Sequence, residues 1–303
     1  MKNGRRLRLG TRGSRLALAQ AAIVVDLISK VAPEVRIEVV PIKTEGDADR
    51  LRESPVKDLK LAFTHEIDRQ LLEGKVEIAV HSMKDVPTET DARLVIGATP
   101  PRGDPRDVLV TASGQALKGL QNGSAIGTSS IRRKVQLARI RPDIRVVEVR
   151  GNLETRIDRM KERGLDGVVL AAAGLQRLGR GGEASQHFRV DEMVPAACQG
   201  TLGVEASKDD TDVLRILKMI DDRPTRLQSV CERAFLSKLG GDCNFPAGVY
   251  ARIAGSEMTV IGMVASPDGS SETSRSVSGP ASAASGLGAK LAEALLESKG
   301  GGG

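Results

Sequence analysis

The chain has 303 residues, 40% of them hydrophobic and 28% charged, the composition of a globular protein long enough for two or three domains with separate cores. Forty-five basic residues against 39 acidic ones leave a formal charge of +6, which favours acidic partners such as nucleic acid, an anionic membrane or a polycarboxylate. Three cysteines with no CxxC pairing argue against a disulfide framework and against a zinc site built on thiolates, and fit a reducing compartment.

Aromatic residues are scarce, with four Phe, one Tyr and no Trp, so the cores must be built from Ala, Val, Leu and Ile, and stacking platforms for nucleic acid are missing. Basic residues precede an apolar run from Leu16 to Val25. Gln20 interrupts that run, Asp26 ends it, and no small-residue cleavage site follows. It reads as an amphipathic helix with Leu16, Ile23 and Leu27 on its apolar face rather than as an export signal. No stretch is long enough to span a membrane. A cytoplasmic protein is expected.

In chain order, Leu7–Thr11, Ile37–Ile42, Glu77–His81, Leu94–Ala98, Val108–Thr111, Ala125–Gly127, Ile144–Val149 and Gly167–Ala171 read as strands. Helical patterns at Ser14–Lys30, Ala62–Glu73, Ser130–Arg139 and Leu153–Arg163 alternate with them. This alternation predicts an α/β protein with parallel or mixed sheets covered by helices on both faces. The run from Pro100 to Pro105 marks a crossing between domains. A strand at Thr201–Ala206, a helix near Asp212–Ile220 and a helix from Pro224 to Leu239 follow. Strands at Val249–Ile253 and Met258–Val264 and a helix over Gly286–Glu297 predict a small α+β domain, with Ser266–Ser274 as a hairpin loop.

The chemistry lies at the carboxyl ends of the strands. Five of them run into turns containing Arg12 and Ser14, Ser82 to Pro87, Thr128 to Arg133, Arg150 to Arg156, and Gly174 to Arg177. In open α/β sheets the ligand crevice lies at these ends, where free backbone N–H groups, capping hydroxyls and the helix dipole attract anions. Arginine adds a planar fork for carboxylate or phosphate. Five such turns converging on one edge would build a cleft for a small, strongly anionic ligand. Asp85 directly follows a strand beside Lys84. A carboxylate held among cations stays ionised and can stabilise a transient cation, although the residue also suits an ordinary turn. Cys243 sits in a Gly-rich loop, where it suits a nucleophile or attachment point but equally an ordinary exposed thiol; Cys231 within a helical pattern reads as core, and Cys198 fits either role. His81, at the end of a buried strand, reads as a packing or hydrogen-bonding residue rather than a ligand, and His65 and His187 have no partners at metal spacing.

Taken together, these segments resemble the porphobilinogen deaminase (hydroxymethylbilane synthase) family, from about Leu9 to Glu297. The most specific piece is His81-Ser82-Met83-Lys84-Asp85-Val86-Pro87, supported by Gly127–Arg133, Arg150–Arg156 and Ala173–Gly179. The resemblance implies two domains like periplasmic binding proteins, residues 1–99 with 200–220 and residues 100–199, plus a small C-terminal α+β domain at 221–303. It implies a monomeric transferase that joins four porphobilinogen molecules with release of ammonia and frees a linear tetrapyrrole, with neither nucleic acid nor membrane as partner and no metal. Cys243 would hold a dipyrromethane cofactor by a thioether. Lys84, Thr128, Ser130, Arg132, Arg133, Arg150 and Arg156 would bind the cofactor. Arg12, Ser14, Gln20, Lys60 and Arg177 would bind substrate, and Asp85 would be catalytic.

The chain departs from the family at three places. Asp58 to Phe63 replaces a Gly-rich loop, which predicts a stiffer Val56–Phe63 segment with Leu61–Phe63 extending the following helix. Cys198 stands where Gly is usual before Gln199, and Asp242 where Gly is usual before the cofactor cysteine. The competing readings are a non-catalytic binding protein of the same architecture, which would not require Cys243, and a nucleic-acid-binding protein. The interspersed acidic and basic residues speak against the second.

Overall fold

The computed structural model describes residues 6–43, 59–240, 246–266 and 268–300, without the side chains of 59–63 and 299–300. Cys243, Asp242, the Val56–Asp58 part of the loop and the side chain of Lys60 lie outside the described residues. The chain divides into two compact units, Met1–Arg102 with Thr201–Arg226, and Gly103–Gly200 with Leu227–Gly303.

In the first unit, β1 (Arg6–Arg12), α1 (Arg15–Val31), β2 (Arg36–Ile42), α2 (Leu59–Leu72), β3 (Ile78–Ser82) and β4 (Leu94–Ala98) are joined by β10 (Leu202–Ser207) and α6 (Thr211–Met219). The sheet order is β2-β1-β3-β10-β4, with β1 parallel to β2 and β3, and β10 antiparallel to both β3 and β4. Leu7, Leu9, Ile78, Val80 and Val204 form the core on one face with Ala21, Val24 and Ile28 of α1 and Ile216 and Leu217 of α6. Ile67 and Leu71 of α2 pack on the other face with Ile42, Val76, Ala79 and Leu94. The helix-coated faces account for the continuous apolar runs of the central strands.

One expectation changes here. The buried face of α1 is Ala17, Gln20, Ala21, Val24 and Ile28, while Ile23 is exposed. Small Ala17 and Ala21 fit the close helix–sheet approach, so size prevails over hydrophobicity in choosing the face. The helix α2 starts at Leu59, three residues before the expected Ala62, so the backbone of Leu61–Phe63 does extend it.

The second unit repeats the scheme. It contains β5 (Asp107–Thr111), β6 (Ala125–Gly127), α3 (Ile131–Ile140), β7 (Arg145–Val147), α4 (Leu153–Glu162), β8 (Gly167–Ala171), α5 (Ala172–Arg177) and β9 (Gln186–His187). The order is β7-β6-β8-β5-β9, three parallel strands followed by the antiparallel β5. In each unit, the strand by which the chain enters from the other, β5 or β10, is the antiparallel neighbour of the third parallel strand. Mixed sheets rather than purely parallel ones result.

The unit also holds an antiparallel sheet of β11 (Ala247–Ala254), β12 (Glu257–Ala265) and β13 (Glu272–Pro280), with α7 (Arg223–Lys238) and α8 (Ala284–Gly300) nearby in sequence. Phe235, Leu239, Val249, Ala251, Met258, Val260, Leu291 and Leu295 form a separate core there. Each such large side chain contributes about 1.5–3 kcal/mol on burial. The Ser266–Ser274 loop is shorter than expected, because β13 already pairs Glu272 with Ala265 and Ser274 with Met263. As an edge strand, half exposed and rich in Ser, it lacks the apolar alternation by which strands are read.

Candidate functional site

The five cation-bearing turns do not share one edge. Two belong to the first sheet and three to the second, each set at the carboxyl ends of its own parallel strands. The run from Pro100 to Pro105, read above as a crossing between domains, directly precedes β5, which belongs to the second sheet.

In the first unit, β1 and β3 are adjacent and parallel, so Arg12 and Ser82 end on the same edge. Ser14 caps α1, its hydroxyl accepting from the Ala17 amide at 3.2 Å. Gln20, buried on α1, donates from Nε2 to Ser82 Oγ at 2.9 Å, fastening the helix to the end of β3. Met83, Lys84 and Asp85 form one tight 3₁₀ turn, anchored by burial of Met83 and by donation of its amide to the Thr201 carbonyl at 3.0 Å. The turn holds Lys84 and Asp85 half-buried. Among the described residues, no hydrogen bond or ion pair engages the Asp85 carboxylate.

On the face of this sheet beneath α2 lies an acidic cluster that the sequence reading passed over. Burial and the neighbouring Glu205 carboxylate push Asp68 up to about 6, and Glu205 is buried beside His81. His81 is thus a buried residue with a polar partner. The signal for Glu205 was an acid within the apolar strand Leu202–Ser207.

In the second unit, Ser130 caps α3 by accepting from the Arg133 amide, and Thr128 Oγ1 accepts from the Ser130 amide at 3.2 Å. Arg132 and Arg133 are both buried and converge on Asp107. Arg132 Nη1 donates to Oδ2 at 2.7 Å, and Arg133 Nη2 and Nε donate to Oδ1 at 2.7 and 3.0 Å. The carbonyls of Val194 and Val169 and the amide of Gln199 complete the network. Burial alone would raise the Asp107 carboxyl, but the two guanidiniums hold it far below the usual carboxylate range. Asp107, first residue of an otherwise apolar buried strand, is the site residue most clearly missed. Two adjacent arginines on the inward face of a helix were its signal.

Arg150 is exposed and pairs with Glu148, and Arg156 donates to the Gly151 carbonyl at 2.9 Å. Arg177 closes α5 and differs from both. It donates to the Gly200 carbonyl at 2.6 Å, and no carboxylate pairs with it among the described residues. Burial lowers its pKa to about 10, so it remains a cation at neutral pH and calls for an anion. The backbone beside it is tightly fitted. Gly200 has φ +89°, and a Cβ there would stand 2.5 Å from the Gly103 carbonyl oxygen. Cys198 also adopts a positive φ of 57°, a conformation that favours glycine. Its amide donates to Glu232 Oε2, and both Cys198 and Cys231 are buried free thiols, with Cys231 pushed up to about 12 by burial.

The donor sets suit a ligand rich in carboxylates: fixed cations and capped helix starts in each unit, a half-buried Arg177 with no carboxylate partner among the described residues, and one available carboxylate at Asp85. Two family models match the chain. "Porphobilinogen deaminase, dipyromethane cofactor binding domain" covers residues 7–215, and "Porphobilinogen deaminase, C-terminal domain" covers residues 226–297. A porphobilinogen deaminase of Brevibacillus brevis is 44% identical over 292 residues, 95% of this chain and 93% of that one. One of Syntrophomonas wolfei is 43% identical over 98% of this chain and 97% of its own. Among solved structures, the methionine binding protein MetQ aligns with 73% of this chain and 92% of its own at a TM-score of 0.45 and 9% identity.

Proposed function

The chain belongs to the porphobilinogen deaminase family, and we propose that it joins four porphobilinogen molecules head to tail, releasing ammonia, and frees the linear tetrapyrrole hydroxymethylbilane. The observation that carries this reading is the half-buried Asp85 carboxylate, displayed on a rigid turn beside Lys84 at the end of β3.

Cys243 would hold a dipyrromethane group by a thioether, and that group would supply the pyrrole end to which the first substrate is joined. Lys84 in the first unit, and Thr128, Ser130, Arg132, Arg133, Arg150 and Arg156 in the second, are the residues that would hold its carboxylates. Each pyrrole brings two carboxylates, so a growing chain needs many fixed cations. Arg12, Ser14, Gln20, Lys60 and Arg177 would bind incoming substrate. Asp85 would stabilise the positive charge that develops on the substrate as its amino group leaves. Among the described residues its polypeptide neighbours leave the carboxylate available. The three-domain division at 1–99 with 200–220, 100–199 and 221–303 remains our reading, supported by a separate apolar core around Phe235. The protein would act as a monomer in the cytoplasm, a setting that suits two free buried thiols. Among the described residues, no helix is long and apolar enough to cross a membrane.

Incubation of the purified chain with porphobilinogen tests the reading. One ammonia per porphobilinogen and a linear tetrapyrrole product are expected. A folded protein that binds porphobilinogen and releases no ammonia would overturn it in favour of a simple binding protein.

Arg177→Leu should keep the covalent group and lower kcat/KM about 10- to 100-fold, the equivalent of one lost charge-assisted hydrogen bond of about 1.5–3 kcal/mol. Mass spectra of trapped enzyme–substrate intermediates should show elongation stalled at an early stage. A wild-type distribution of intermediates would remove Arg177 from substrate binding.

A further inference from the structure

Cys198 carries a Cβ yet sits at φ +57°, and the Gln199 backbone amide donates to the Ala196 carbonyl at 3.0 Å, so Ala196–Gln199 closes a turn whose third residue lies in the left-handed region. A turn of that form takes glycine at its third position, and another residue stays there only where its surroundings hold it. Helix α7 supplies the hold. One oxygen of the fully buried Glu232 carboxylate accepts from the Cys198 amide, and the other accepts from the Ala251 amide of β11 at 2.9 Å. Cys198 Sγ donates to the Ser229 carbonyl, also on α7, at 3.9 Å.

The two residues after Cys198 reach the cation sites of this unit. Gln199 donates from Nε2 to the Pro105 carbonyl at 2.8 Å and to Asp107 Oδ1 at 3.0 Å. The Gly200 carbonyl accepts from Arg177 Nη2 at 2.6 Å and from the Gly103 amide at 3.1 Å. A shift of the Cys198 backbone therefore moves the acceptor that orients Arg177. On the reading that Arg177 binds substrate, we propose that Glu232 is a positioning residue for porphobilinogen: by holding Cys198 at positive φ it fixes the Gly200 carbonyl, and so the direction in which Arg177 presents its guanidinium to a substrate carboxylate. The same carboxylate joins α7 to β11, the two elements that flank Cys243 in sequence. One side chain thus ties the elements on either side of the attachment segment to the turn that serves Arg177.

Glu232→Gln keeps the shape of the side chain but turns an N–H donor toward one of the two amides. In the full chain it should raise KM for porphobilinogen about 5- to 20-fold and change kcat by less than about threefold, the pattern of lost ground-state binding. Added to Arg177→Leu, it should have no further effect on KM, whereas its lowering of Tm should be the same in both backgrounds. Adding Cys198→Gly to Glu232→Gln should return KM to within about threefold of wild type, because glycine adopts the positive φ unaided. Amide exchange over Ala196–Gly200 should be slow in the wild type and faster in Glu232→Gln. Equal KM increases with and without Arg177, a KM within about twofold of wild type, or unprotected exchange in the wild type would overturn the proposal. If Glu232→Gln does not fold, Glu232→Asp, which keeps the charge and shortens the reach, takes its place beside the wild-type exchange. A wild type that releases no ammonia from porphobilinogen would instead overturn the function proposed above, and with it the substrate named here.

Discussion

Asp85→Asn is expected to lower porphobilinogen turnover about 100- to 1,000-fold while leaving the fold and the covalent group in place. The substitution keeps size and shape and removes charge. The turn itself is held by other atoms: the buried Met83 side chain, the Met83 amide on Thr201 and the Val86 amide on the Met83 carbonyl. The loss should therefore appear in the chemical step, where one well-placed electrostatic group is typically worth about 2.7–4 kcal/mol. It should fall mainly on kcat, because charge develops on the substrate only as the amino group departs. Steady-state kinetics beside circular dichroism would check it. Turnover within a few-fold of wild type in a folded variant would remove Asp85 from the mechanism.

Asp107→Ala is expected to destabilise the second unit by about 3–5 kcal/mol, the usual cost of leaving buried charges without their partner. Arg132 and Arg133 are 6% and 5% exposed and direct three guanidinium hydrogen bonds at this one carboxylate. Asp107 is held well below its unfolded value, so its contribution is fully present above about pH 4 and is lost as pH falls below it. The stability gap between wild type and variant should be constant near neutrality and narrow in acid. Urea unfolding at several pH values would measure it. A gap under about 1 kcal/mol at pH 7 would mean that the two arginines find other partners. The same network bears on the covalent group, since removing Asp107 also frees the two guanidiniums from their fixed positions. Slower cofactor assembly should accompany the lost stability.

Most of the fold was legible because strand and helix periods are local. The first eight strands and four helices lie within a few residues of where apolar spacing and capping residues put them, Ser14, Ser130 and Asn152 being caps in fact. What was not legible depends on pairing. The edge strand β13 shows no alternation because solvent covers much of it, and the inward face of α1 was set by alanines small enough to approach the sheet. The candidate site divides in the same way. Arg12, Asp85 and Arg177 could be picked from their places after strands, whereas Asp107, Glu205 and Asp68 acquire meaning only through partners 25 to 137 residues away, as in Arg132 with Asp107 and Glu205 with Asp68. Buried acids inside apolar strands were the one local sign of them.

The central claim is that a covalent primer is carried on Cys243, and intact-mass measurement of the purified chain tests it most directly. The account predicts a mass above that of the bare sequence by one two-pyrrole group, located on the peptide containing Cys243 and absent from Cys243→Ser. A chain with the bare sequence mass and full porphobilinogen turnover would contradict it.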